Sequence, residues 1–219
     1  MNLFALTPAE KNKRLKFRCV HRHNGLTGHP NCYDQFHGLV ERVGFYDIES
    51  SQLNASFGII LSYCILGEDG VLYKRLLTPD EIRSGVFDYN LCEQFCKDVR
   101  NFDRIIGYYS EKFDGPMLRT RCIRHKLDFP VFKEIKHTDA WRVVRAKMRM
   151  HSNRMGTVCD FLGIPSKTHP LLPDVWIRCL SGDQDSLDFV MKHNVEDVES
   201  LKALWHRIVD YTQLTKTSI

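Results

Sequence analysis

No stretch of this 219-residue sequence approaches the eighteen or so apolar residues that a membrane-spanning helix requires. Its opening, MNLFALTPAEKNKR, has too short an apolar stretch for a secretory leader. There is no internal repeat and no low-complexity tract, which excludes a repeat array. Charge of one sign is scarce: 31 Lys and Arg against 27 Asp and Glu leave +4, too mild to establish a polyanion partner. A soluble, cytoplasmic protein with no membrane partner is the expectation, and its eight cysteines read as reduced thiols, not a disulfide framework. Cys92 and Cys96, four apart on a helical stretch, read as core.

What is present suffices for a core, since 43% of the residues are hydrophobic. One main domain, 41–219, with an appendage, 1–40, is expected. Thr7-Pro8-Ala9-Glu10 has a capping residue, a proline at the first helical position and a glutamate at the third, so a short basic helix starts there. Val43 to Glu49, Phe57 to Leu66 and Val71 to Leu77 read as strands, with Gly67-Glu68-Asp69-Gly70 as the turn between the last two. Asn90 to Phe102 has helical spacing, Arg104 to Tyr109 is a short apolar strand, and Asp114 opens another helix. Beyond Asp139 the chain reads as helical, through Trp141 to Met150, Arg154 to Leu162, and a pair from about Leu187 to Tyr211, with Pro165 to Pro173 as a long loop. Strands first and helices interleaved later predict an α/β sheet domain.

The first strand ends in Asp47-Ile48-Glu49, which aims two carboxylates at one face of its sheet. Both faces of that strand are apolar before the acids, so it turns acidic only at its mouth, where two like charges call for a cation. In the second half, Phe189, His193, Asp197, Leu201, Leu204 and Ile208 recur at steps of three or four. That pattern puts His193 and Asp197 in an apolar stripe, either as partners of each other or as parts of a site. Asp114, before Gly115-Pro116, is either a helix cap or a further acid of that site.

Taken in order, Asp47-Ile48-Glu49, then Ile105-Ile106-Gly107-Tyr108-Tyr109 leading to Phe113-Asp114-Gly115-Pro116, then His193-Asn194-Val195-Glu196-Asp197, the chain resembles the DEDD (DnaQ-like) 3′–5′ exonuclease superfamily over roughly Val43 to Tyr211. It looks most similar to YprB-like proteins and to the exonuclease domain of family B DNA polymerases. His193 lies four residues before Asp197, where the histidine-bearing branch has five, and Tyr109 stands near where that group often has asparagine. The resemblance implies an RNase H-like mixed five-stranded sheet flanked by helices. It also implies that Asp47, Glu49, Asp114 and Asp197 hold two Mg²⁺ or Mn²⁺, with His193 orienting or deprotonating the attacking water. In that chemistry Asp47 bridges the ions, Glu49 and Asp197 serve the ion beside the water, and Asp114 serves the other.

Cys19, His21, His23, His29, Cys32 and His37 fall within nineteen residues. The spacing of His29 and Cys32 suits zinc, with Cys19 and either His23 or His21 completing a closed structural site. Lys11 to Arg22, Arg119 to Lys126 and Arg142 to Arg154 are basic. Arg142, Arg145, Lys147, Arg149 and Lys167 are candidate phosphate contacts, and Tyr109 is a candidate for stacking on a base. The expected partner is nucleic acid, DNA before RNA, at single-stranded or frayed ends. No polymerase or helicase segment fits beside the predicted domain, so a polymerase or replication protein, if it takes part, is a separate chain. The alternatives are a non-catalytic module that binds nucleic acid or protein, and a structure-specific endonuclease using the same metals.

Overall fold

The structure is a computed structural model and describes residues 6–19, 22–27, 33–34, 36–37, 41–131, 134–166 and 172–212. Its strands are β1 Val43–Ser50, β2 Ile60–Gly67, β3 Leu72–Leu76, β4 Arg104–Gly107 and β5 Lys136–Asp139. They form one sheet in the order β3-β2-β1-β4-β5. β1, β2 and β3 pair antiparallel, whereas β1 with β4 and β4 with β5 run parallel, so the sheet is mixed. The described helices are α1 Pro8–Lys16, α2 Pro79–Arg83, α3 Tyr89–Asp98, α4 Asp114–Arg124, α5 Ala140–Lys147, α6 Met155–Leu162, α7 Pro173–Leu180 and α8 Gln184–Ile208. No described helix is long and apolar enough to cross a membrane.

β1 is central and buried on both faces, as its sequence predicts. Tyr46 and Ile48 pack with Tyr63 and Ile65 of β2, under Phe95 of α3 and Leu118 of α4. Phe45, on the other face, packs with Ile106, Val144, Val158 and, from α8, Leu201 and Leu204. Removing side chains of this size from water stabilises the fold by about 1.5–3 kcal/mol each. On the Tyr46 face sits Gly44, where an added Cβ would lie 2.8 Å from Ile65 Cγ2 and 2.9 Å from Phe102 Cδ1. The absent side chain lets those two close over the strand.

α3 and α4 are fastened by a buried carboxylate. Asp88, fully buried at the start of α3, receives Arg121 Nε at 2.7 Å and Nη2 at 2.6 Å, His125 Nε2 at 2.8 Å and the Ile60 N–H at 3.0 Å. Burial pushes its pKa up, but Arg121, Ile60 and His125 outweigh that and hold it below the ordinary value.

The capped first helix appears as predicted: Thr7 and Glu10 exchange side chain to backbone hydrogen bonds. The hairpin turn does too, with Gly67 N donating to Val71 O at 2.8 Å and Gly70 at φ +86°. Several boundaries differ from expectation, among them that the strand from Arg104 ends at Gly107, not Tyr109, and the helix expected over Trp141 to Met150 runs Ala140–Lys147. β2 starts at Ile60, not Phe57, because Asn54 O captures the N–H groups of Phe57 and Gly58 in a turn. The expected final pair of helices is one continuous helix, α8, capped by Asp183. A helix, α7, begins at Pro173, the last residue of the predicted loop; residues 167–171 of that loop lie outside the described residues.

Candidate metal and nucleic-acid site

β1 carries Asp47 and Glu49 to its C-terminal end on the Phe45 face, and α8 crosses that face. His193 and Asp197, one turn apart on α8, are both buried there. His193 Nδ1 lies 3.5 Å from Glu49 Oε1 and 3.9 Å from Asp197 Oδ2. One ligand-capable atom from each of Glu49, His193 and Asp197 fits within 4.8 Å of the others. Cys64, paired across the sheet from Asp47, reports the same convergence. Its thiol is pushed well up by burial, and further by the charges of Asp47, Glu49 and Asp197.

Asp114 enters from the other side of β1. It is the first residue of α4, not its cap: Phe113 holds the cap position, and Asp114 Oδ1 instead accepts the N–H of Ile48 at 3.1 Å, between the two β1 acids. Only 4% exposed, it has its pKa pushed up to about 7 by burial, with the charges of Glu49 and Asp139 adding to the rise. A carboxyl forced toward its neutral form among other acids is in the condition a bound cation relieves. Ser62, opposite Glu49 in the β1–β2 register, and Asn194, beside His193, carry buried polar atoms with no hydrogen-bond partner among the described residues. All-oxygen donors plus one imidazole, flanked by such groups, fit a hydrated divalent ion of the Mg²⁺ or Mn²⁺ kind.

A second cluster, Asp88, Cys92 and His125, also has metal-ligand geometry. There the charge is already neutralised by Arg121, so a cation has no uncompensated carboxylate to meet. A groove of about 950 Å³ is lined by Phe95, Leu118, Phe129 and His137 among others, and by none of the five residues Asp47, Glu49, Asp114, His193 and Asp197.

Four of the predicted phosphate contacts, Arg142, Arg145, Lys147 and Arg149, lie on α5 and its exit. Arg142 Nη1 pairs with Glu111 at 3.1 Å, and the Arg145 guanidinium sits 5.0 Å from the Trp141 ring centre. Arg149 is exposed, Lys147 is half-buried, and Lys167 lies outside the described residues. Tyr109 is 46% exposed, whereas Tyr108 packs inward and donates to Asn153 O at 2.7 Å. In the appendage, Cys19 N donates to His23 O at 3.1 Å. The other expected zinc ligands, His21, His29 and Cys32, lie outside the described residues.

Two groups escaped the sequence reading. His137 Nε2 lies 3.0 Å from the Tyr46 hydroxyl and 2.9 Å from Ser110 Oγ, tying β5 to β1 and to the turn before α4. Asp139 ends β5, is buried, and accepts backbone N–H groups from that turn. Its place just ahead of a helical run was the available signal, since aspartate is a preferred helix cap.

No curated protein matches the chain in sequence. Among solved structures it is similar to a family B DNA polymerase from the hyperthermophilic archaeon Pyrobaculum calidifontis, at 17% identity and a TM-score of 0.58, covering 78% of this chain and 25% of that one. It is also similar to an exonuclease I solved in complex with the inhibitor BCBP, at 13% identity and a TM-score of 0.55, covering 79% and 42%. The chain thus spans a quarter of the first and under half of the second. These likenesses bear out the fold that the sequence resemblance implied. Residues 44–209, nearly the whole sheet and its helices, match the family described as RNase_H superfamily, and the chain belongs to that superfamily.

Proposed function

We propose that the chain is a metal-dependent 3′–5′ exonuclease that hydrolyses phosphodiester bonds at single-stranded or frayed ends of nucleic acid, DNA in preference to RNA. The observation that carries this is the meeting of Glu49, His193 and Asp197 within 4.8 Å at the end of the strand that also holds Asp47 and meets Asp114. The exonuclease among the structural neighbours and the polymerase beside it agree with a nuclease reading.

In this reading Asp47, Glu49, Asp114 and Asp197 hold two Mg²⁺ or Mn²⁺, which supply a nucleophile at neutral pH and neutralise charge on the leaving oxygen. His193, whose Nδ1 lies 3.5 Å from Glu49 Oε1 and 3.9 Å from Asp197 Oδ2, would take the proton from the attacking water. Arg142, Arg145, Lys147, Arg149 and Lys167 hold the strand through its phosphates, and Tyr109 supplies a face for a base. The appendage carries one structural Zn²⁺ on Cys19, His29, Cys32 and either His23 or His21.

The test is digestion of a 5′-labelled single strand, as DNA and as RNA, with Mn²⁺ or Mg²⁺, beside an identically purified Asp47→Ala protein. A ladder that shortens from the 3′ end and is absent in the variant is expected. Equal cleavage by both proteins, or none by either, overturns the reading, and products from a circular substrate would make the enzyme an endonuclease.

A further inference from the structure

Asp139 does work that the acidic cluster does not explain. Its carboxylate is 3% exposed and holds three backbone donors: Oδ1 accepts the N–H of Tyr109 at 2.8 Å and of Trp141 at 3.0 Å, and Oδ2 that of Glu111 at 3.1 Å. A carboxylate with three of its roughly four lone-pair positions so occupied is a poor further metal ligand. What it holds is unusual. Tyr109 has φ +61°, in the left-handed region that costs a residue with a Cβ of order 1 kcal/mol and that glycine or asparagine enters readily. The same turn is closed by Lys112 and Phe113 donating to Tyr109 O, and by Gly115 donating to Ser110 O at 2.9 Å.

The ring that this backbone presents is 46% exposed and meets Trp141 edge-on, with ring centres 5.0 Å apart. Arg145 covers the same indole. Asp139 therefore binds the backbones of both aromatics at once, and so fixes one ring relative to the other. An exposed tyrosine ring backed by a half-buried indole, with a guanidinium beside it, suits an unpaired base next to its phosphate.

We propose that Asp139 is a positioning residue: by holding Tyr109 in its left-handed conformation it presents the Tyr109–Trp141 pair as a stacking surface for an unpaired base of the strand. This rests on the nuclease reading and names how that site selects single strands. Both strain and exposure at Tyr109 are then the consequence of a ring kept for its face, where a left-handed turn alone would be served better by glycine.

The test reads binding apart from cleavage. Fluorescence anisotropy with a labelled single-stranded oligonucleotide in Ca²⁺ gives Kd for the wild type, Asp139→Ala, Tyr109→Gly, Tyr109→Phe and the double variant Asp139→Ala/Tyr109→Gly. Alanine is chosen because asparagine would keep the oxygen that accepts from Tyr109 and Trp141. Asp139→Ala and Tyr109→Gly should each weaken binding about tenfold, the loss of roughly one stacked base. Tyr109→Phe should bind within about twofold of the wild type, and the double variant no worse than Tyr109→Gly alone, because Asp139 acts through the ring. Mn²⁺ binding, measured by calorimetry, should be retained in Asp139→Ala. Additive losses in the double variant, an unchanged Kd in Tyr109→Gly, or Mn²⁺ binding lost in Asp139→Ala would overturn the proposal. If Asp139→Ala does not fold, an unchanged Kd in Tyr109→Gly still overturns it. A wild type that binds with this pattern but cleaves nothing in Mn²⁺ would instead remove the nuclease reading and leave the stacking surface standing.

Discussion

Asp114 is buried among other acids, and that placement has a pH signature. An unfolded aspartate ionises near pH 4, whereas in the metal-free fold Asp114 holds its proton to about pH 7, because burial and then Glu49 and Asp139 oppose its charge. Across that window the folded chain binds more protons than the unfolded one, so this group lowers stability as pH rises from about 4 to about 7, and the loss persists above. Asp114→Asn removes the charge and keeps an oxygen to accept the Ile48 N–H. Without metal, the variant should be more stable than the wild type at pH 8 by roughly 4 kcal/mol, with the gap closing toward pH 4, as read by urea denaturation. Mn²⁺ should raise the wild-type midpoint more at pH 8 than at pH 5. A gap that is equal at both pH values would mean that Asp114 is not the titrating group.

At the scale of elements, the buried ion pair that joins α3 to α4 is a fastening whose two halves cannot be removed singly. Arg121→Met leaves the Asp88 carboxylate fully buried with its main cation gone, and should cost about 3–5 kcal/mol. Asp88→Asn added to it should return much of that, which chemical denaturation of both proteins will show. The acids of the candidate site were legible because they sit on elements with a clear period: Asp47 and Glu49 alternate with Ile48 on a strand, and His193 and Asp197 fall in a helical stripe. Some elements were misread. The stripe from Phe189 to Ile208 runs unbroken along one 25-residue helix, α8, where two were expected. β5, Lys136-His137-Thr138-Asp139, is four residues long and polar throughout, so nothing in its pattern marks a strand; it exists because β4 pairs with it. Asp139 went unread with it.

For the whole molecule, the sheet order is what assembles the site. β1 lies in the middle, its two acids leave the sheet at one end, and α4 and α8 approach that end from opposite faces of the strand, α4 beside Tyr46 and α8 beside Phe45. A family resemblance could state that arrangement in advance, but the registers, the Asp114 to Ile48 bond and the Asp139 clamp are matters of tertiary packing that no local pattern encodes. The claim on which the functional account depends is that these acids are a cation site. Calorimetric titration of the metal-free protein with Mn²⁺ tests it most directly. The account predicts about two Mn²⁺ per chain, with binding lost in Asp47→Ala at unchanged circular dichroism. Equal Mn²⁺ binding by the wild type and Asp47→Ala, or no binding by either, would contradict it.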